Sequence, residues 1–193
     1  MSPAASATVV GEDGLRRCPW GLSTPDYVVY HDEEWGKPVH GDQPLYERIS
    51  LEAFQSGLSW ITILRRRETF RKAFSGFDPA VVAEFGDTDI DRLMADPGII
   101  RNRAKVLATI ANARAVLELD GTTLDALIWS FAPEKRPRPP AAAGDVPAVT
   151  PESTALAKEL KRRGFRFVGP TTAYALMQAC GLVNDHFADC YAR

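Results

Sequence analysis

Three cysteines in 193 residues are too few, and an odd number, for a disulfide framework. Cys18, Cys180 and Cys190 point instead to a reducing compartment, and a cytoplasmic setting is expected. No apolar run approaches the length of a membrane span, so no contact with a membrane is expected. The opening residues lack the basic cluster of a signal peptide. Charge of one sign is also missing: 23 Lys and Arg face 25 Asp and Glu, a net of −2. That balance counts against coating nucleic acid through bulk charge. No internal repeat and no convincing strand alternation are visible, with only 27–30 ambiguous. A repeat architecture and a β-sandwich are thereby excluded.

What remains is helical. Hydrophobic spacing and capping residues predict helices over 44–56 (capped by Asp42), 60–74 (capped by Ser59), 78–85, 88–95, 103–119, 123–129 (started by Thr122), 154–163 (capped by Ser153) and 171–180 (ended by Gly181). The expected fold is an all-α bundle of short helices in two lobes with a cleft between them. Residues 1–14 are expected to form a disordered tail ahead of a single domain over 15–193. Residues 132–152 hold many of the prolines and an Ala-Ala-Ala run, and are expected to be an exposed loop. Basic residues cluster at Arg65, Arg66, Arg67, Arg71 and Lys72, at Arg101, Arg103 and Lys105, and at Lys161, Arg162, Arg163 and Arg166. By itself each cluster describes a solvated helix face.

Two features of the last thirty residues carry chemistry. Val168-Gly169-Pro170-Thr171-Thr172 describes a tight turn opening a helix. Unpaired N–H groups at such a start make a phosphate seat, glycine lets a backbone approach closely, and proline loses nothing in the first turn. The alternative is an ordinary helix connection. His186 and Cys190 lie four apart, on one face if a helix continues there. With Cys18 and His31 they make two Cys and two His, enough for a closed tetrahedral zinc site joining the two ends of the chain. The gap is not that of a zinc finger, so incidental thiols and backbone-bonded histidines are the alternative. Cys180 is assigned to the core, and His40 to the surface without an evident partner.

Residues 18–60 are dense in amphipathic aromatics: Trp20, Tyr27, Tyr30, Trp35, Tyr46 and Trp60. Glu52 falls in a mostly apolar stretch, where a buried carboxylate is costly without a partner. Aromatic faces around one carboxylate suit a flat cationic ligand. An aromatic core with Glu52 at the surface is the bland alternative.

Five separated motifs in one order then resemble the DNA-3-methyladenine glycosylase I family of the helix-hairpin-helix DNA glycosylase superfamily. They are Cys18-Pro19-Trp20-Gly21, the segment from Tyr30 to Pro38, the segment from Leu51 to Leu64, Gly98-Ile99-Ile100-Arg101, and the stretch from Gly164 through Asn184-Asp185-His186. The resemblance implies a monofunctional hydrolase that excises 3-methyladenine from alkylated double-stranded DNA. It implies Glu52 as the catalytic or recognising carboxylate and a base pocket of Trp20, Tyr27, Tyr30, Trp35 and Trp60. It also implies phosphate binding by Val168, Gly169, Thr171 and Thr172, and one structural zinc on Cys18, His31, His186 and Cys190. A monomer releasing free 3-methyladenine is expected. Three departures matter. Phe167 replaces the superfamily's first hairpin glycine, so a different turn is expected. Asn184 falls where the superfamily carries a catalytic aspartate. Thr171 falls where the bifunctional members carry a Schiff-base lysine, so no lyase step is expected. Cys190 stands three residues from the end of the sequence, where fraying is expected. The rival from another class is a non-catalytic, zinc-stabilised DNA-binding or damage-sensing module, which would need no base pocket.

Overall fold

The computed structural model describes residues 7–135 and 137–193. Ten α-helices dominate the described residues: α1 Pro25–Glu33, α2 Asp42–Gln55, α3 Trp60–Leu64, α4 Arg67–Ala73, α5 Pro79–Ala83, α6 Asp87–Ala95, α7 Arg103–Leu117, α8 Leu124–Trp129, α9 Pro151–Arg162 and α10 Pro170–Ala179. Their starts are set by side chains. Thr24 accepts from Tyr27 N with Pro25 in the first turn, which makes the ambiguous 27–30 stretch helical. Asp78, Asn102 and Thr123 cap α5, α7 and α8 in the same way.

Three expected caps act differently. Asp42 is the first residue of α2, and its carboxylate accepts from Asp125 N instead. Ser59 precedes α3 but spends its hydroxyl on Thr62 Oγ1. Ser153 lies inside α9, where it answers Thr150 in a reciprocal capping box. The single helix expected over 60–74 breaks at Arg66, whose ψ is near 1°, giving α3 and α4.

In the core, α5 packs on α7 and α10 on α9, and α2 joins the two pairs by touching both α7 and α10. Tyr46, Phe54, Phe70, Phe74 and Phe77 are fully buried around that junction. Each such side chain removed from water contributes about 1.5–3 kcal/mol. Tyr46 belongs to this core, with its hydroxyl donated to Thr109 O, and takes no part in the aromatic front end. Cys180 is buried in the same core.

Both ends of the described chain differ from expectation. The expected tail over 1–14 gives way within residues 7–14 to a small hairpin, in which β1 (Val9–Val10) pairs antiparallel with β2 (Arg16–Arg17). Buried Arg17 anchors it, binding Asp13 within the hairpin and Asp32 on α1. The part of the tail over 1–6 lies outside the described residues. At the other end α10 stops at Ala179 and Gly181 turns the chain at φ +74°, where a Cβ would sit 2.6 Å from the backbone of Lys37 and Pro38. His186 and Cys190 therefore share no helix; a turn in which Cys190 N donates to Phe187 O brings them together. This end is not frayed, because Tyr191 N donates to Arg16 O and Arg193 donates to Asn184 O and His186 O.

The proline-rich 132–152 segment is mostly exposed, and Ala143–Asp145 forms a short 3-10 turn within it. Pro140 O accepts from Ala188 N, which fastens the loop to the C-terminal segment.

Candidate active site and metal centre

Helix α2 sets the charge of the cleft. Arg48, Glu52 and Gln55 follow at helical spacing and share one face. Glu52 and Gln55 line a cleft of about 270 Å³ together with Trp20, Tyr27, Tyr30, Trp35, Trp60, Ala175 and Gln178. Glu52 and the five aromatics expected to form a base pocket are thus brought together from a 3-10 turn (Pro19–Leu22), α1, the turn that follows it, α2 and α3. Trp20 meets Tyr27 and Trp35 edge-on at centroid distances of 5.6 and 5.0 Å, and Tyr30 tilts against Trp60 at 5.5 Å.

Glu52 is 5% exposed, and its carboxyl has no hydrogen-bond partner among the described residues. Burial pushes it up to about 8, with Arg48 acting against the shift. Where the sequence suggested a standing carboxylate, burial in this cleft favours the protonated carboxyl. Arg48 is itself drawn away by Glu34, which Arg67 also grips. Trp60 Nε1 and Arg48 Nη1 are buried donors without a protein partner among the described residues.

Behind the cleft, Cys18, His31, His186 and Cys190 present one ligand atom each, all within 4.8 Å of one another and all buried. His186 Nδ1 lies 3.2 Å from His31 Nε2 and 3.5 Å from Cys190 Sγ, and Cys18 Sγ lies 3.8 Å from His186 Nδ1. These separations are those of the edges of a small tetrahedron with nitrogen and sulfur corners. The two free thiols, hydrogen-bonded to each other, are driven apart in acidity, Cys18 upward and Cys190 downward. The outer ring nitrogens are fixed as well. His31 Nδ1 meets Asp32 Oδ1 at 2.7 Å, and His186 Nε2 meets Trp35 O at 3.0 Å. Burial would raise the Asp32 carboxyl, but the Arg17 guanidinium holds it down at about 2. The hairpin thereby steadies a ligand of the cluster. Cleft and cluster share a wall: Trp20 packs edge-on to His31 at 5.1 Å and Trp35 to His186 at 4.7 Å.

The turn between α9 and α10 is the third feature. Val168 is buried, Thr171 is exposed, and Gly169 caps α10 with no side-chain bond. Gly169 has φ −75°, and a Cβ there would meet nothing within 4 Å, so neither conformation nor packing requires a glycine. Phe167 adopts φ +56°, the left-handed region in which glycine is at home. Phe167 thus holds, with a side chain, a backbone conformation that glycine usually supplies. Asn184 is an amide and cannot serve as an acid, and its Oδ1 accepts from His186 N.

Residues 20–193 match the methyladenine glycosylase family. This chain belongs to that family. Over 180 residues it is 47% identical to DNA-3-methyladenine glycosylase 1 of Escherichia coli (strain K12), covering 91% of this chain and 96% of that protein. It is 48% identical over 185 residues to DNA-3-methyladenine glycosylase of Haemophilus influenzae, covering 90% and 96%. It also matches, at a TM-score of 0.86 and 35% identity over 91% of this chain and 95% of the other, the 3-methyladenine DNA glycosylase I of Staphylococcus aureus in a structure of 3-methyladenine recognition.

Sequence reasoning missed several residues of this family member's site. Gln55 was findable, three residues after Glu52 on the same helix face. Ala175 and Gln178 come from α10, far along the chain, and nothing local marks them. Arg17 and Asp32 adjoin two cluster ligands in sequence, and that adjacency was their signal. The basic clusters are mostly spent on structure: Arg65 pairs with Asp26, Arg71 with Glu47, Arg162 and Arg163 with Glu159. Lys105 is buried and caps the end of α2 through Phe54 O and Ser56 O. Arg101, Arg103 and Arg166 are exposed and in no ion pair among the described residues. His40 has partners after all, bonding Asp125 and stacking on Trp129.

Proposed function

We propose that this protein is a monofunctional DNA glycosylase that removes 3-methyladenine from alkylated duplex DNA, as the first step of base excision repair. The observation that carries this reading is the buried Glu52 carboxyl facing a cleft walled by Trp20, Tyr27, Tyr30, Trp35 and Trp60. An enzyme acting on a base inside a duplex must rotate it out of the stack and hold it in such a pocket. 3-Methyladenine in DNA carries a positive charge spread over its ring. Aromatic faces attract that charge. Its arrival also favours the ionised form of Glu52, which then pairs with the ring. Normal adenine lacks the charge and gains neither term.

The glycosidic electron pair leaves with the base and neutralises it, water adds to the sugar carbon, and the water's proton is lost. The leaving group departs readily, so strong acid catalysis is unnecessary and Asn184 in place of an aspartate is no handicap. Glu52 acts first by electrostatic recognition. Trp60 Nε1, a buried donor without a protein partner, is available to the bound base. Thr171 offers no amine for a Schiff base, and no lyase step follows.

The turn at Val168, Gly169, Thr171 and Thr172 seats a DNA phosphate on the open start of α10, with room for the backbone to approach at Gly169. Binding there is sequence-independent and weakens with salt. Zinc is the metal that the Cys18, His31, His186 and Cys190 cluster suits, because two thiolates and two imidazoles in a closed tetrahedron leave no position open for substrate. Its contribution is structural. One chain carries the whole site, so the protein acts as a monomer, and three free cysteines suit the cytoplasm. No helix among the described residues is long and apolar enough to cross a membrane. The test is chromatography of bases released from methylated duplex DNA. Free 3-methyladenine without strand scission supports the reading. DNA bound but no base released would instead indicate the non-catalytic sensor.

A further inference from the structure

One wall of the cleft ends in a hydrogen-bond chain that charge recognition does not use. Gln178 lines the cleft, one turn beyond Tyr174 on α10. Its Nε2 donates to Asp185 Oδ2 at 2.8 Å, and the Tyr174 hydroxyl donates to the same oxygen at 2.6 Å. Asp185 is buried. The Gln178 backbone is held too, its carbonyl accepting from Gly36 N.

Asp185 Oδ2 accepts from both the Tyr174 hydroxyl and the Gln178 NH2 group, so it is the NH2 end of the amide that Asp185 holds. A flipped amide would set Oε1 against Oδ2, acceptor against acceptor. The polar atom that Gln178 keeps for a ligand is therefore Oε1. Glu52 differs, because a protonated carboxyl donates through one oxygen and accepts through the other. The locked amide has a fixed polarity.

We infer that Asp185, with Tyr174, locks Gln178 as a hydrogen-bond acceptor in the cleft, and that this selects an alkylated purine with an exocyclic amino group over one with an exocyclic oxygen at the same ring position. The inference rests on the base-excision reading and assigns Gln178 to ligand contact and Asp185 and Tyr174 to positioning. The amino group of 3-methyladenine completes the chain. The oxygen of 3-methylguanine would face another acceptor, and a site built for one hydrogen-bond partner rejects an analogue that cannot supply it.

Binding of free 3-methyladenine and free 3-methylguanine, followed by tryptophan fluorescence, gives a preference ratio for each variant. Gln178→Met keeps the volume and removes the acceptor. It is expected to weaken 3-methyladenine binding roughly three- to tenfold, one hydrogen bond's worth, and to change 3-methylguanine binding little. Asp185→Leu frees the amide to turn, so 3-methylguanine should gain while 3-methyladenine loses. Asp185→Asn still offers one oxygen to both donors and should restore the wild-type ratio, which a merely structural role for Asp185 does not predict. Metal content and circular dichroism check each variant. If Asp185→Leu does not fold, Gln178→Met and Asp185→Asn decide the matter. An unchanged ratio in Gln178→Met, or an equal loss for both bases, overturns the inference. A wild type that binds neither base and releases none from methylated DNA overturns the base-excision reading itself.

Discussion

Among the described residues Glu52 receives no hydrogen bond, so its ionisation opposes folding. Its folded value, about 8, lies above the ordinary 4.5. Between those values the unfolded chain has released the proton and the folded chain still holds it, so this group lowers stability as pH rises through that window. Glu52→Gln removes the ionisation and keeps the shape. The variant should gain stability relative to wild type as pH rises from 4.5 towards 8, by a few kcal/mol at the top of the range, read from denaturant unfolding. Parallel curves for the two proteins would mean that the carboxyl is not buried in solution. Gly21 poses a second test at this scale. A Cβ there would lie 2.7 Å from the His31 ring. Gly21→Ala should therefore displace a cluster ligand and lower bound zinc measured by elemental analysis, whereas Cys180→Ser, in the core, should leave metal content unchanged.

Among the elements, the turn before α10 carries the binding prediction. Gly169→Val meets no steric obstacle in the protein, so the variant should fold. If a phosphate is seated there as proposed, the added side chain would stand in its way, and duplex affinity should fall with or without a lesion, as read by fluorescence anisotropy over a salt series. Equal affinity in a folded Gly169→Val would remove the phosphate role. The turn is braced from α7, since Asn112 Oδ1 accepts from Arg166 N and Asn112 Nδ2 donates to Arg166 O. That clamp was invisible in the sequence, where Asn112 is one polar residue within a helix. Other elements were legible for definite reasons. Helical periodicity located α2 and α7 closely, and the aromatic run with Glu52 marked the cleft. Caps were harder: a tertiary partner, Asp125, takes the Asp42 carboxylate, while Ser59 and Ser153 are good capping residues that bond local partners, Thr62 and Thr150, instead. The Val9–Arg17 hairpin escaped notice because two-residue strands have no alternation to read, and it is held by a buried arginine. The turn joining His186 to Cys190 resembles a helix in spacing alone.

At the level of the whole molecule, the cluster of Cys18, His31, His186 and Cys190 closes the chain from near its start to near its end, and two of its imidazoles support walls of the cleft. Purified protein should carry about one zinc per chain. Chelation should lower the melting temperature by roughly 10 °C if the closure contributes about 3–4 kcal/mol, at ~2–4 °C per kcal/mol for a chain of this size. It should also weaken base binding, because Trp20 and Trp35 lose their backing. Folded, fully active, metal-free protein would contradict this. Recognition of a cationic base by a buried carboxyl among aromatic faces is tested most directly by single-turnover release of 3-methyladenine from methylated duplex DNA by wild type and Glu52→Gln. Excision by Glu52→Gln should be clearly slower yet still measurable, since the charged base departs readily on its own; a rate equal to wild type would contradict the account.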